Sequence, residues 1–201
     1  MDRSGARVAG LLPAAGASTR LGRNKLLLEV GGEPLIRRAV RASIAAGLDP
    51  VVVVLAPGAE PARAALSGLA CRLVVNPDPS RGQGSSLMQG IAALPGDTAA
   101  AVVVLPDMPR VTTEMIVAIV ARWRQGRVPL VLSDYAGIQA PPSLYERPLL
   151  EELEAGGGNG KAVAAVHRAE AATLTWPAEA LFDLDTPQDL AAFGTSREEV
   201  P

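Results

Sequence analysis

Four short segments of this chain hold the residue types that handle phosphate and divalent metal. The first, "LLPAAGASTRLGRNK", leaves an apolar run for small residues, Ala14, Ala15 and Gly16, followed by two spaced cations, Arg20 and Lys25. Small side chains let a ligand approach the main chain, whose successive N–H groups can wrap an anion. Arg20 can hold two phosphate oxygens in parallel hydrogen bonds, and Lys25 adds a compact charge, a combination suited to a triphosphate. No Lys-Ser or Lys-Thr follows a glycine as in the ATPase phosphate loop, and the three close glycines of the dinucleotide fingerprint are missing.

The second segment, "VVVLPDMPR", runs an apolar stretch directly into Asp107, set between Pro106 and Pro109. Proline fixes the main chain, so this carboxylate is held in place. It suits Mg2+, which binds one or two carboxylates together with substrate phosphates, or alternatively a turn or helix cap. The third, "FDLDTPQDL", carries Asp183 and Asp185 in a strand-like alternation, so that only one of them can face a site shared with Asp107. Capping of the helix that begins near Thr186 and Pro187 is the other use for either carboxylate. The fourth, "NPDPSRGQGSSL", has Asn76 at the end of an apolar run and Gly82 and Gly84 ahead of a helical pattern, with Ser85 or Ser86 placed to cap it. Small residues there allow a flat base to lie on the main chain.

The elements that must position these segments alternate. Aliphatic runs at 8–12, 51–55, 73–75, 101–105 and 128–132 read as buried strands, and amphipathic patterns such as "PLIRRAVRASIAAG" and "TTEMIVAIVARWRQG" read as the helices between them. Such alternation predicts a doubly wound α/β sheet, mostly parallel, with helices on both faces. Ligands in these sheets bind beyond the carboxyl ends of the strands, where all four segments fall. The last third is less regular, and its "AGGGNG" is by composition a mobile loop, not a domain boundary. One domain spanning 1–201, with a core of about 8–193, is expected.

Composition narrows the chemistry. The 201 residues carry 19 basic and 21 acidic side chains and few aromatics, which gives no drive toward nucleic acid or an anionic membrane. Cys71 and His167 are the single cysteine and histidine. They leave no disulfide, no cysteine zinc cage and little for a histidine-activated nucleophile. Cys71 is expected to be a small buried hydrophobe and His167 a surface helix residue. No signal peptide or membrane span is visible, so a cytoplasmic protein is expected.

Taken in order, the four segments resemble the nucleotidyltransferases of the molybdenum-cofactor type, the MobA-like NTP transferases. "AAGASTRLGRNK" looks like that family's A-A-G-x-S-x-R-x-G-x-x-K loop, "DMP" like its metal-binding turn and "DLDTPQDL" like its closing D-x-D-T-P motif. The resemblance implies a Rossmann-like mixed sheet of the nucleotide-diphospho-sugar transferase type, and Mg2+-dependent transfer of a nucleotidyl group to a phosphorylated acceptor. It assigns the nucleotide to Leu12, Ala14, Ala15, Gly16, Arg20 and Lys25, with Asn76, Gly84 and Ser85 toward the base. It assigns catalysis to Arg20, Lys25 and Asp107, and the metal to Asp107 and Asp185. Guanylyltransferases of the family tend to show A-G-G in the first loop. Ala14, Ala15 and Gly16 lean instead toward the molybdenum cofactor cytidylyltransferases, with CTP and a molybdopterin-type acceptor. Guanylyl transfer, another phosphorylated acceptor such as a sugar, and a non-catalytic nucleotide-binding module are the alternatives. Two departures fall on the acceptor side: "GIQAPPSLY" lacks the family's G-H-P, and Gly158 stands where its G-D-x-G has the aspartate.

Overall fold

A computed structural model describes residues 3–16 and 24–182, together with residues 184, 189 and 193. Arg20, Asp183 and Asp185 lie outside the described residues.

The aliphatic runs form strands because β-branched residues pack on a pleated surface buried on both sides. They are β1 (Arg7–Ala14), β2 (Val51–Leu55), β3 (Arg72–Val75), β4 (Thr98–Val103), β5 (Leu130–Tyr135), β6 (Ile138–Glu146) and β7 (Ala171–Trp176). Six helices accompany them among the described residues: α1 (Leu35–Ala45), α2 (Glu60–Ala65), α3 (Gln83–Ala92), α4 (Thr113–Gln125), α5 (Arg147–Ala155) and α6 (Gly160–Val166). Thr112 caps α4 by accepting from the Met115 N–H at 3.3 Å, and the helix stops at Gly126.

The strands form one seven-stranded sheet in the order β3-β2-β1-β4-β6-β5-β7. Every pairing is parallel except those of β6, which runs antiparallel to both β4 and β5. Alternate residues of each strand feed two cores. Val8, Leu12, Val51 and Val53 face Ile36, Val40 and Ile116 of α1 and α4. Ala9, Leu11, Val52 and Val54 face Leu87, Ile91 and Leu150 of α3 and α5. The expected mostly parallel sheet with helices on both faces is therefore present.

Three features differ from the sequence reading. Pro13 does not end β1, which continues to Ala14. The Leu11 carbonyl accepts from Val104 N–H, and β4 pairing stops at Leu11, so alternation puts the missing N–H of Pro13 on the side where β4 has already ended. The Pro-containing "IQAPPSLYE", to which no element was assigned, is a strand, with cis bonding between Pro141 and Pro142. The carbonyls of those prolines accept from Tyr135 Oη at 2.8 Å and Ser133 Oγ at 2.6 Å, so side chains hold β6 where a proline cannot donate. Lastly, the glycine turn expected to be mobile is packed: Gly158 is buried, and its N–H donates to Leu153 O at 2.7 Å.

Candidate active site

Sheet order locates the site. From β1 the chain moves outward to β2 and β3, then returns to the other side of β1 as β4. The carboxyl ends of β1 and β4 therefore lie side by side, and the chains leaving them lead to α1 and α4 on one face of the sheet. Ala15 and Gly16 follow the end of β1, and Pro106 and Asp107 follow the end of β4.

Ala15 is buried, whereas Gly16 is exposed, and a Cβ built on it would meet nothing within 4 Å among the described residues. Leu12 is fully buried in β1. Its side chain therefore belongs to the core beneath the start of the loop. Lys25 sits in a 3-10 turn, Lys25–Leu27. Asn24 caps this turn by accepting from the Leu26 N–H at 3.1 Å, and buried Leu26 anchors it in the core. Thus fixed, Lys25 Nζ donates to Asp107 Oδ2 at 2.6 Å. Their side chains are only 17% and 23% exposed, so solvent screens the pair weakly. The structure brings these two predicted residues, 82 positions apart, to one point.

The closing segment arrives at the same place. Leu184 N–H donates to the Asp107 carbonyl oxygen at 3.1 Å, and its side chain is fully buried against Leu28, Val30 and Leu35. Asp183 and Asp185 flank that anchored residue, although both lie outside the described residues. A divalent cation fits this donor chemistry: Asp107 already accepts one positive group, and the flanking segment brings further carboxylates by sequence. Among the described residues no group of three His, Cys, Asp or Glu could hold a metal, so Asp107 would need Asp185, water or substrate oxygens as co-ligands.

Asn76, Gly84 and Ser85 also converge, through hydrogen bonds and packing within the protein. Asn76 is buried, and its Nδ2 donates to Ser85 Oγ at 2.8 Å and Ser86 Oγ at 3.0 Å. Its Oδ1 accepts from the Asp78 N–H at 3.0 Å. Ser85 Oγ in turn donates to the Gly82 carbonyl at 2.7 Å. The Asn76 amide thus fastens the first turn of α3 to the end of β3. Neither serine caps the helix; its N-cap is Gly82. An Asn placed at a strand end before a serine pair was the available signal for this hub. The Gly84 main chain touches the turn after α5, a contact that no sequence pattern announced.

Residues 138–140 of β6, in the stretch that departs from the G-H-P pattern, pair with β5 beyond the last β4 pair, Val103 with Ser143. They therefore run beside the chain that leads to Asp107. His167 ends α6 and bonds Glu152 Oε2 at 2.7 Å, and half-buried Cys71 has its thiol pushed up by burial. No described helix is long and apolar enough to cross a membrane.

Comparison with known proteins bears on the family and the fold. The family model of the MobA-like NTP transferase domain matches residues 10–173. A nicotine blue oxidoreductase of Paenarthrobacter nicotinovorans is 36% identical over 122 residues, 60% of this chain and 59% of the relative. A probable molybdenum cofactor guanylyltransferase of Natronomonas pharaonis is 34% identical over 108 residues, 53% of this chain and 52% of the relative. The chain thus spans little more than half the length of these curated relatives. Among solved structures, Rv0371c of Mycobacterium tuberculosis superposes with a TM-score of 0.81 at 24% identity, covering 94% of this chain and 98% of that one. A manganese complex of Rv0371c gives 0.78 at 23% identity, covering 96% and 100%. Both likenesses establish the fold.

Proposed function

The chain belongs to the MobA-like NTP transferase domain family, and on that premise we propose that it is a cytoplasmic, single-domain nucleotidyltransferase that moves CMP from CTP to a phosphorylated, molybdopterin-type acceptor and releases pyrophosphate. The 2.6 Å pairing of Lys25 with Asp107 at the carboxyl edge of the sheet carries this assignment. In this reading Lys25 is the triphosphate-binding cation and Asp107 the metal-binding carboxylate beside it.

An oxygen of the acceptor's phosphate attacks the α-phosphorus of CTP in line. A P–O bond forms there as the bridging bond to the β-phosphate breaks, and pyrophosphate leaves with the electron pair. A phosphate monoester, with a second pKa of about 6, is mostly ionised near neutral pH, so no strong general base is needed. Main-chain groups at Ala14, Ala15 and Gly16 orient the triphosphate, and Arg20 and Lys25 balance charge building on the leaving pyrophosphate. Asp107 and Asp185 would hold Mg2+, which when bound neutralises phosphate charge and aligns the reacting oxygens.

Ala14, Ala15 and Gly16 support CTP. The Natronomonas relative, named for guanylyl transfer, favours GTP as the second reading. The Paenarthrobacter relative is named for a redox reaction, so family membership leaves the chemistry to the site residues. Pyrophosphate release measured with CTP and GTP against molybdopterin-type and sugar-phosphate acceptors separates these possibilities. CTP-dependent release with the molybdopterin-type acceptor is expected. Release with GTP alone would reassign the nucleotide, and release with neither would overturn nucleotidyl transfer.

A further inference from the structure

Arg110 stands three residues beyond Asp107, and its side chain reaches the closing segment. Its Nη1 donates to the Glu179 carbonyl oxygen at 2.6 Å. Its guanidinium lies 4.8 Å from the ring centroid of Phe182 and 5.8 Å from that of Phe193, both within range of a cation–π attraction. The two rings are themselves neighbours, 5.7 Å apart, and they are the chain's only phenylalanines. Between them in sequence stands Leu184. Its N–H donates to the Asp107 carbonyl oxygen, and its side chain is buried with Leu28, Val30 and Leu35.

The Asp107 turn has supports of its own. Met108 N–H donates to Leu105 O and Val111 N–H to Met108 O, each at 3.2 Å, and both side chains are buried. From α1, Arg38 Nε donates to Pro109 O at 3.3 Å. The turn therefore does not need the Arg110 side chain to hold its shape. What that side chain adds is a grip on the closing segment, at Glu179 and Phe182 before Leu184 and at Phe193 after it. A planar guanidinium can stack on a ring and donate from its edge at once. Asp183 and Asp185 are each joined to Leu184 by one peptide unit, so the docking of Leu184 limits how far a carboxylate of this segment stands from Asp107.

We propose that Arg110 is a positioning residue for the metal: by holding the closing segment on the Asp107 turn, it sets the spacing between Asp107 and a second carboxylate. This rests on the metal assignment made above. Charge and positioning act with opposite signs here. A cation near a metal ligand opposes a bound cation by charge alone, so a bystander arginine would weaken metal binding. A positioning arginine strengthens it, because carboxylates already held at the right spacing bind a divalent ion without the cost of being brought together.

The test is Mn2+ binding to the chain without nucleotide, followed by electron paramagnetic resonance of the free ion, together with amide hydrogen exchange at Leu184. The chains compared are wild type, Arg110→Ala, Arg110→Lys and Asp107→Ala. Arg110→Ala should weaken Mn2+ binding about tenfold, the scale for removing a group that orients a metal ligand. Exchange of the Leu184 amide, protected by its bond to the Asp107 carbonyl, should speed up about tenfold as the segment opens more often. Arg110→Lys keeps the charge and loses the planar stack, so it should weaken binding as well. It carries the test alone if Arg110→Ala does not fold. Unchanged or tighter Mn2+ binding by the folded Arg110 variants, with binding lost in Asp107→Ala, overturns the positioning role and leaves the metal assignment standing. Unchanged exchange at Leu184 overturns the positioning role whatever the metal does. If the wild-type chain binds no Mn2+, or binds it no better than Asp107→Ala, both fall.

Discussion

At the scale of single residues, Lys25 and Asp107 form an ion pair at 2.6 Å, and the proposed function has the triphosphate recruit the lysine and the metal recruit the aspartate. Lys25→Ala should weaken triphosphate binding and lower kcat/KM by about 10²-fold, the scale of losing one preorganised charge contact. Parallel KM and kcat measurements check it, and unchanged values would remove Lys25 from the site. Asn76 works differently, because its partners are protein groups. Asn76→Ala leaves the Ser85 and Ser86 hydroxyls and the Asp78 N–H without their buried partner, and should cost about 2–3 kcal/mol in denaturant unfolding. Tyr145 adds a pH dependence, since burial pushes its phenol up to about 12. Its folded pKa lies above the unfolded value of about 10, so its contribution is complete below pH ~10 and is lost as pH rises toward 12. Stability should fall by about 1.4 kcal/mol per pH unit in that window, and Tyr145→Phe should flatten the slope.

At the scale of elements, a single side chain of the N-terminal segment ties the end of α4 to β6. Arg3 Nη1 donates to the carbonyls of Trp123, Gly126 and Val128 at 3.0, 2.8 and 3.1 Å, and Nη2 donates to Glu146 Oε1 at 2.6 Å. Its guanidinium also lies 4.7 Å from the Trp123 ring centroid. Arg3→Ala should therefore destabilise the chain by about 2–3 kcal/mol, and Arg3→Lys should not restore it, because an ammonium cannot reproduce the planar fork. Thermal unfolding of both variants measures this. Nothing in the sequence marks Arg3, whose partners come from positions 123 to 146. The parallel strands were legible because each is a continuous aliphatic run. Strand β6 was not, because its two prolines argue against a strand until the hydroxyls of Ser133 and Tyr135 are seen to hold it.

At the scale of the whole molecule, the strand order does what spacing along the chain cannot. It places the ends of β1 and β4 side by side, and so converts a lysine and an aspartate from distant segments into one pair. The residue types were readable, because small residues, spaced cations and a proline-flanked carboxylate each have a physical use. Their division of labour was not. Leu12 turned out to be core, Asn76 a fastening group, and Gly84 one half of a contact whose other half lies beyond α5. Those outcomes depend on which groups the fold buries together, and a linear pattern does not carry that. The central claim is that Asp107 and Lys25, paired at the carboxyl ends of β4 and β1, support metal-dependent nucleotidyl transfer. Pyrophosphate release from CTP, with Mg2+ and a molybdopterin-type acceptor, tests it most directly when wild type is compared with Asp107→Ala. The account predicts release by the wild-type chain and a loss of at least about 10²-fold in a variant that keeps its unfolding midpoint; full activity in folded Asp107→Ala would contradict it.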